Sequence, residues 1–200
     1  MTIKIGIDFD NTIVNYDTLF HQEGLKQNIL NGNSYHNSKN RLKKILISKN
    51  KEAEWTAIQG KVYGKKMLKA LPYEGAMQFI QKISKEKKFK IFIVSHKTLY
   101  PIVGEKINLH KLSKKWIEKN KVFISSNNNF KNQIYFLKTK EKKINKIVNL
   151  KCDYFIDDLK EILDLLPKNI KKIHFTPYAK DKRYKHNSWN DIQKVFEKVI

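Results

Sequence analysis

The residues of this sequence that could do chemistry stand at the ends of apolar runs. Asp8 stands at the carboxyl end of the run 3–9, and Asp10 follows just beyond that run. Such a run predicts a buried strand, and open α/β sheets bind ligands beyond the carboxyl ends of their strands. Two carboxylates this close are costly in an apolar setting unless a cation or another partner balances them. The alternative interpretation is a surface turn in which both aspartates only contact water.

Two further predicted strands end in polar residues. The run 90–94 leads into Ser95, and the run 153–156 leads into Asp157 and Asp158. If the strands are parallel, their carboxyl ends share one edge of the sheet, so these side chains can converge although the chain separates them widely. Three strands that end in this way are much stronger evidence for a site than one.

Strand and helix patterns alternate from residue 73 onward, which predicts a parallel sheet with right-handed crossovers. The predicted strands are 90–94, 122–124, 153–156 and 170–175, with 134–137 as a further extended candidate and 127–129 as a loop. The predicted helices are 75–87, 105–119, 139–150 after a Thr139 cap, 159–166 and the segment that follows a Ser188 cap. The fold class is therefore α/β.

Residues 16–72 carry helical spacing and no strand pattern, which predicts a small all-helical insertion after the first strand. Its predicted helices are 16–30, 41–48 and 52–70. Trp55, Gln59 and Tyr63 recur every fourth residue, so they share one helix face. That face serves either helix packing or a substrate-facing wall, in which Gln59 would be the polar contact between two aromatic rings.

Size and composition describe a globular protein with a core of its own. Two hundred residues suit one α/β domain with an insertion. Cys152 is the only cysteine, which excludes an intramolecular disulfide and a thiolate zinc site. No stretch approaches the ~20 apolar residues of a membrane span. The chain enters its first strand at once, leaving no room for a signal peptide, so the expected location is cytoplasmic.

The formal net charge of +22 would ordinarily indicate a nucleic-acid partner. Nearly all of this charge comes from lysines, which are spread through every segment, and Arg41 and Arg183 are the only arginines. Recognition of phosphates and bases favours the arginine fork. Nucleic acid is therefore not expected as the main partner, although the positive field still attracts anionic substrates.

Taken together, the motifs resemble those of the haloacid dehalogenase (HAD) superfamily. The first, second and fourth motifs of that superfamily look like Ile7-Asp8-Phe9-Asp10-Asn11-Thr12, Ile93-Val94-Ser95-His96 and Phe155-Ile156-Asp157-Asp158, and a lysine within 140–143 looks like the third. The resemblance implies a Rossmann-like three-layer core with a parallel sheet, formed by residues 1–15 and 73–200. It also implies that 16–72 form a helical cap, which closes over the site and selects the substrate.

The resemblance further implies a Mg²⁺-dependent phosphatase that works through an aspartyl-phosphate. Asp8 would attack phosphorus, and Asp10 would protonate the leaving oxygen and then deprotonate the attacking water. Ser95 would donate hydrogen bonds to phosphoryl oxygens, and a lysine would neutralise the cluster. Mg²⁺ would be held by Asp8, the Asp10 backbone carbonyl, Asp157 and water, with Asp158 as a further ligand candidate.

For several residues the sequence allows more than one role. Lys140 and Lys143 both fall on the helix face that packs toward the sheet; Lys143 is assigned as the site lysine, and Lys140 is the alternative. His96 and Lys97 either contact substrate or shape their loop. The full set of predicted substrate-binding residues is Asn11, Thr12, Trp55, Gln59, Tyr63, His96 and Lys97.

The predicted function is hydrolysis of a small phosphorylated metabolite, and both nucleoside monophosphates and sugar phosphates fit. Asp10 argues against dehalogenation, because the dehalogenases of the superfamily that this sequence resembles lack the second aspartate. One alternative is a polynucleotide end phosphatase, prompted by the charge. The other is a binding protein that keeps the fold without turnover, against which the intact Asp8, Ser95 and Asp157 argue. The oligomeric state is left open.

Overall fold

A computed structural model of the chain describes residues 2–123, 133–181, 183–197 and 199. The chain packs as two compact units. The first consists of Met1–Val14, Pro72–Lys97 and Asn120–Ile200, and the second consists of Asn15–Leu71 and Thr98–Lys119. Within the described part of the chain, no helix is both long enough and apolar enough to cross a membrane.

The described residues form seven strands and eight α-helices. The strands are β1 (Ile3–Ile7), β2 (Val14–Asn15), β3 (Leu71–Pro72), β4 (Phe89–His96), β5 (Ile134–Leu137), β6 (Tyr154–Asp157) and β7 (Lys171–His174). The helices are α1 (Asp17–Lys26), α2 (Ser38–Ser48), α3 (Glu52–Tyr63), α4 (Ala76–Lys85), α5 (Leu109–Lys119), α6 (Lys140–Asn149), α7 (Lys160–Asp164) and α8 (Trp189–Glu197).

Five strands of the first unit form one parallel sheet in the order β5-β4-β1-β6-β7. Counted along the chain, these strands lie in the order 3-2-1-4-5, which is Rossmann-like. The order reverses at β1, which pairs with β4 on one side and β6 on the other. Ligands of such sheets bind beyond the carboxyl ends at the reversal, so the topology gathers the polar residues that follow β1, β4 and β6. The predicted α/β fold class is confirmed.

The core of the first unit is built from the central strands and the helices on them. Both faces of β1 and β4 are covered, which is why these strands read as continuous apolar runs in the sequence. Ile7 and Ile93 are fully buried. Phe79 of α4 and Phe196 of α8 pack with their ring centroids 5.3 Å apart. A side chain at Gly6 would place its Cβ 2.5 Å from the Phe155 ring, so β1 needs a glycine there.

Two elements that the sequence analysis placed in the core differ from their prediction. The predicted strand 122–124 is wrong in its described part, since Val122 and Phe123 lie in a bend; residue 124 and the predicted loop 127–129 lie outside the described residues. The sheet is completed by β5, the extended candidate 134–137, which pairs in parallel with the end of β4. Similarly, the helix predicted over 105–119 begins only at Leu109.

The second unit is mainly helical. Leu42, Leu46 and Phe20 are buried in it, and the Phe20 ring stacks on Trp55 of α3 at 5.3 Å between centroids. The helix predicted over 52–70 ends at Tyr63, because the next residue, Gly64, has φ −89° and ψ −117°, outside the helical region. A short 3₁₀ turn, Met67–Lys69, follows.

Residues 98–119 pack in the second unit, whereas the sequence assigned them to the core. The indole Nε1 of Trp116 donates a hydrogen bond to the Ala70 carbonyl at 2.8 Å. A Cβ at Gly60 would collide with the carbonyl oxygen of Val103, so only glycine lets that loop lie against α3. Periodicity does not reveal this packing, because it depends on residues far apart in the chain.

Candidate active site

The candidate active site lies at the carboxyl edge of the parallel sheet, within the first unit. Asp8 directly follows β1, Ser95 is the second-to-last residue of β4, and Asp157 ends β6. The Asp8 N–H donates to the Ile156 carbonyl at 2.9 Å, so hydrogen bonding between β1 and β6 continues up to the first carboxylate. The sheet thus brings together the three strand ends singled out in the sequence.

Lys143 lies between two of these carboxylates. Its Nζ is 2.5 Å from Oδ1 of Asp8 and 2.6 Å from Oδ2 of Asp157, and all three side chains are buried. Lys143 is carried by α6, and Thr139 fixes the start of that helix by accepting a hydrogen bond from the Lys142 N–H. The helix therefore delivers an ammonium group to the interior of the site.

The alternative lysine lies elsewhere. Lys140 Nζ is 2.7 Å from Oε1 of Glu161, and about half of each side chain is exposed to solvent (48% and 58%). Lys143 comes three positions after Lys140, so the helical period places both on related faces, but only Lys143 reaches the carboxylates. The placement favours Lys143 as the site lysine.

Burial and neighbouring charges shift the pKa values of this cluster. Burial by itself would lower the pKa of Lys143, but the carboxylates of Asp8 and Asp157 outweigh it and the pKa lies above its ordinary value. Burial, together with repulsion from Asp8, raises the pKa of Asp157 to about 8 despite the opposing effect of Lys143. One ammonium therefore does not offset the combined effect of burial and of repulsion among these carboxylates, and a further cation would be favoured.

Three carboxylates are arranged so that they could hold a metal ion. One oxygen from each of Asp8, Asp157 and Asp158 lies within 4.8 Å of the others. A set of hard oxygen donors with excess negative charge is what Mg²⁺ prefers in proteins. The residues present therefore fit Mg²⁺. Asp10 was predicted to contribute its backbone carbonyl, and that contribution stays a prediction.

The Asp10 carboxylate instead contacts a second buried lysine. Lys97 Nζ lies 2.5 Å from Oδ2 of Asp10, and the Lys97 side chain is only 3% exposed, against 19% for Asp10. The Lys97 N–H donates to the Leu137 carbonyl at 2.7 Å, which fixes the residue beyond β4. Sequence reasoning missed this ion pair. Lys97 follows Ser95 by two residues, and alternate residues share one face of an extended chain, so the spacing contained the signal.

Ser95 carries a buried hydroxyl that awaits a partner. Among the described residues, Ser95 Oγ has no hydrogen-bond partner. A buried hydroxyl left in this way costs about 1–3 kcal/mol, which a ligand that accepts its hydrogen bond would recover. The neighbouring His96 donates from Nε2 to the Lys138 carbonyl at 3.2 Å, so it holds its loop against the start of α6. Substrate contact by His96 stays a prediction.

The turn after β1 gives the next two predicted residues structural roles. Asn11 has φ 61°, a left-handed conformation that asparagine adopts more readily than most residues, and its N–H donates to Val14. Thr12 Oγ1 donates to Oδ1 of Asp158 at 3.3 Å and accepts from the Asp158 N–H at 3.1 Å. Whether Asn11 or Thr12 also contacts substrate stays a prediction.

The predicted aromatic stripe belongs to the second unit. Trp55 stacks on Phe20, and the ring of Tyr63 meets that of Tyr16 edge-on with centroids 4.8 Å apart. Gln59, between the two aromatics along the same helix, is partly buried. Helix packing accounts for the two rings, and substrate contact by the three residues stays a prediction.

Comparison with known proteins finds similarity among solved structures. No family model and no curated protein matches the sequence. A haloacid dehalogenase-like hydrolase from Streptococcus pneumoniae has a TM-score of 0.62 and 12% identity, covering 98% of both chains. A HAD-superfamily hydrolase from Ehrlichia chaffeensis has 0.55 and 15%, covering 100% of this chain and 98% of its own. The magnesium-bound HAD-hydrolase YfnB from Bacillus subtilis has 0.50 and 11%, covering 97% and 98%.

These similarities show the fold, and they confirm the Rossmann-like α/β core that the sequence predicted. The chain has the fold of the haloacid dehalogenase superfamily over nearly its whole length. At identities this low, a shared fold does not identify the substrate.

Proposed function

We propose that this protein is a Mg²⁺-dependent phosphatase that acts on a small phosphorylated metabolite. The observation that carries the proposal is the carboxylate of Asp8, which follows β1 and lies 2.5 Å from the buried ammonium of Lys143 and close to Asp157. Phosphate esters hydrolyse so slowly in water that a nucleophile, a cation site and charge stabilisation must act together. The residues at this edge of the sheet could supply all three.

In the first step Asp8 attacks phosphorus. One of its oxygens forms the new P–O bond, the ester P–O bond breaks, and the leaving oxygen keeps the electron pair and takes a proton from Asp10. The Ser95 hydroxyl donates a hydrogen bond to a phosphoryl oxygen, and Lys143 offsets negative charge on the Asp8 side. Mg²⁺ held by the carboxylates would supply further positive charge to the phosphoryl group.

The second step releases phosphate and restores the enzyme. A water molecule attacks the aspartyl-phosphate, Asp10 takes a proton from it, and the bond between phosphorus and Asp8 breaks. Asp10 thus ends with the proton that it gave away. Lys97, 2.5 Å from Asp10, keeps this carboxylate in one place through both transfers.

Asp10 also supports phosphatase over dehalogenase chemistry. Dehalogenases of the superfamily that this chain resembles lack the second aspartate, because a halide leaving group needs no proton. The buried Lys97 that holds Asp10 is a further reason to expect that this carboxylate takes part in proton transfer. A screen of nucleoside monophosphates, sugar phosphates and p-nitrophenyl phosphate with Mg²⁺ tests the proposal. Hydrolysis that chelation abolishes supports it, and no turnover of any ester with Mg²⁺ present would contradict it.

We expect the stabilisation of this protein by Mg²⁺ to grow with pH. Without metal, folded Asp157 holds a proton up to about pH 8, whereas the unfolded residue releases it near ~3.9. This residue's contribution to stability is therefore lost as the pH rises between those values. Mg²⁺ needs the deprotonated carboxylate, so its apparent affinity should fall up to about tenfold per unit below the pKa.

Thermal melts with and without Mg²⁺, at about pH 6 and pH 8.5, measure this effect. The rise in melting temperature on adding Mg²⁺ should be larger at the higher pH. Asp157→Asn is the matched control, since it removes the titrating group and should flatten the dependence. An equal Mg²⁺ shift at both pH values in the unmodified protein would contradict the role given to Asp157.

Salt dependence separates a small substrate from a polynucleotide, the candidate that the net charge of +22 favours. For a small metabolite, kcat/KM should fall only modestly with added salt, because few charges are neutralised. A polynucleotide that contacts several phosphates would show a log–log slope approaching about one unit per phosphate. We expect the shallow slope. Filter binding to oligonucleotides near physiological salt is the independent check.

A cytoplasmic location stays a prediction.

A further inference from the structure

We propose that Trp189 is a positioning residue for the metal site, acting through Thr12 on the carboxylate of Asp158. The inference rests on the proposed binding of Mg²⁺, but it does not depend on which ester is the substrate. Neither the acidic cluster nor the motif residues point to Trp189 in the sequence, because it lies far along the chain in the last helix. The folded first unit brings it beneath the turn that follows β1.

Three hydrogen bonds connect the indole to the carboxylate. Trp189 Nε1 donates to the Thr12 backbone carbonyl at 3.1 Å. The Thr12 hydroxyl then serves Asp158 twice, since it accepts from the backbone N–H at 3.1 Å and donates to Oδ1 at 3.3 Å. Thr12 is fully buried and Trp189 is 1% exposed, so water does not compete strongly for these bonds.

The indole itself is held firmly. Its ring packs against those of Phe79 and Phe175, with centroid distances of 5.3 and 5.8 Å. The residue before it, Ser188, forms a reciprocal cap with Asp191: the Ser188 N–H donates to Oδ2 at 3.1 Å, and the Asp191 N–H donates to the hydroxyl at 3.2 Å. Trp189 therefore offers its N–H from a fixed position at the start of α8.

A fixed donor at this point matters because Asp158 is one of the three carboxylates that could hold the ion. Metal ligands keep their geometry through the groups that hydrogen-bond to them, and loss of such a group commonly costs 10–100-fold in affinity. Thr12 is such a group for Asp158, and Trp189 holds Thr12. Asp158 has a second support, because Nε2 of His174 lies 3.1 Å from the backbone carbonyl oxygen of Asp158. The loss of one support should therefore weaken the site without abolishing it.

The chain supplies a matched control for the test. Trp116 is also fully buried, and its Nε1 also donates to a backbone carbonyl, that of Ala70 at 2.8 Å, but within the second unit. Trp189→Phe and Trp116→Phe remove the same group from equally buried positions. Calorimetric titration with Mg²⁺ gives the dissociation constant, and a thermal melt without metal gives the stability loss of each variant.

We expect both variants to melt at lower temperature, and only Trp189→Phe to bind Mg²⁺ more weakly, by roughly three- to tenfold because it acts one residue beyond the ligand's own partner. Thr12→Val should weaken binding more, and Thr12→Ser, which keeps the hydroxyl, should restore most of it. Trp189→Phe added to Thr12→Val should change little further, since both act through one hydroxyl. Benzothienylalanine at position 189, which has the indole shape without the N–H, replaces Trp189→Phe if that variant does not fold.

Equal Mg²⁺ affinities in the two tryptophan variants, or additive effects of Trp189→Phe and Thr12→Val, would overturn the role of Trp189 while leaving the metal site in place. A protein that binds no Mg²⁺ before any substitution would remove the metal site itself and this proposal with it. These outcomes are distinct, because the first requires normal binding by the unmodified protein.

Discussion

Asp8→Asn is expected to abolish hydrolysis of phosphate esters and to leave the fold intact. The amide is a poor nucleophile and cannot form the aspartyl-phosphate, so the rate should fall at least about 10⁴-fold, as when the nucleophile of other covalent enzymes is removed. The substitution keeps the shape of the side chain. Lys143 also keeps its second partner, Asp157, at 2.6 Å.

The measurement is p-nitrophenyl phosphate hydrolysis beside the circular dichroism spectrum. Asp153→Asn is a suitable control: that carboxylate accepts a hydrogen bond from the Lys4 N–H at 2.7 Å near the exposed amino edge of the same sheet, and its loss should leave turnover unchanged. Substantial activity in folded Asp8→Asn would show that another group attacks phosphorus. An unmodified protein that hydrolyses no ester would favour the binding-protein alternative.

The convergence of the strand ends could be predicted from sequence because it follows from topology alone. Once β1, β4 and β6 are parallel neighbours, Asp8, Ser95 and Asp157 must lie at one edge whatever the loops between them do. The period of α6 narrowed the site lysine to two candidates. The period could not choose between them, because the start of the helix and its packing on the sheet decide which lysine side chain extends to the carboxylates.

Contacts between remote segments were not predictable in this way. The pair formed by Lys97 and Asp10 depends on the register of the strand that precedes each of them, and the hydrogen bond from Trp189 to Thr12 depends on where the last helix packs. The place of 98–119 in the second unit depends on two contacts. The Val103 carbonyl lies against Gly60, where a side chain would not fit, and the Trp116 indole donates to the Ala70 carbonyl. Each of these reflects shape complementarity, which a single sequence does not encode as a period.

Lys143→Met is expected to have the largest effect on stability. It leaves the carboxylates of Asp8 and Asp157 buried without their ammonium, and removing one partner of a buried ion pair typically costs about 3–5 kcal/mol. Lys140→Met is the matched control on the same helix. Its pair with Glu161 is half exposed, and such pairs contribute about 0–1 kcal/mol.

The sign of the pH dependence tests the cause of this loss. Lys143 opposes the rise in the pKa of Asp157, so without it Asp157 should hold its proton to still higher pH. The unmodified protein begins to release this proton near pH 8, whereas the variant keeps it, so the stability of the variant falls more steeply as the pH rises. The stability deficit of Lys143→Met should therefore shrink as the pH falls from about 8.5 to about 6. Added Mg²⁺ replaces the missing positive charge, so it should raise the melting temperature of this variant more than that of the unmodified protein. Urea unfolding at both pH values measures the deficit, and a deficit that neither acid nor Mg²⁺ reduces would mean that Lys143 stabilises the fold by packing rather than by charge.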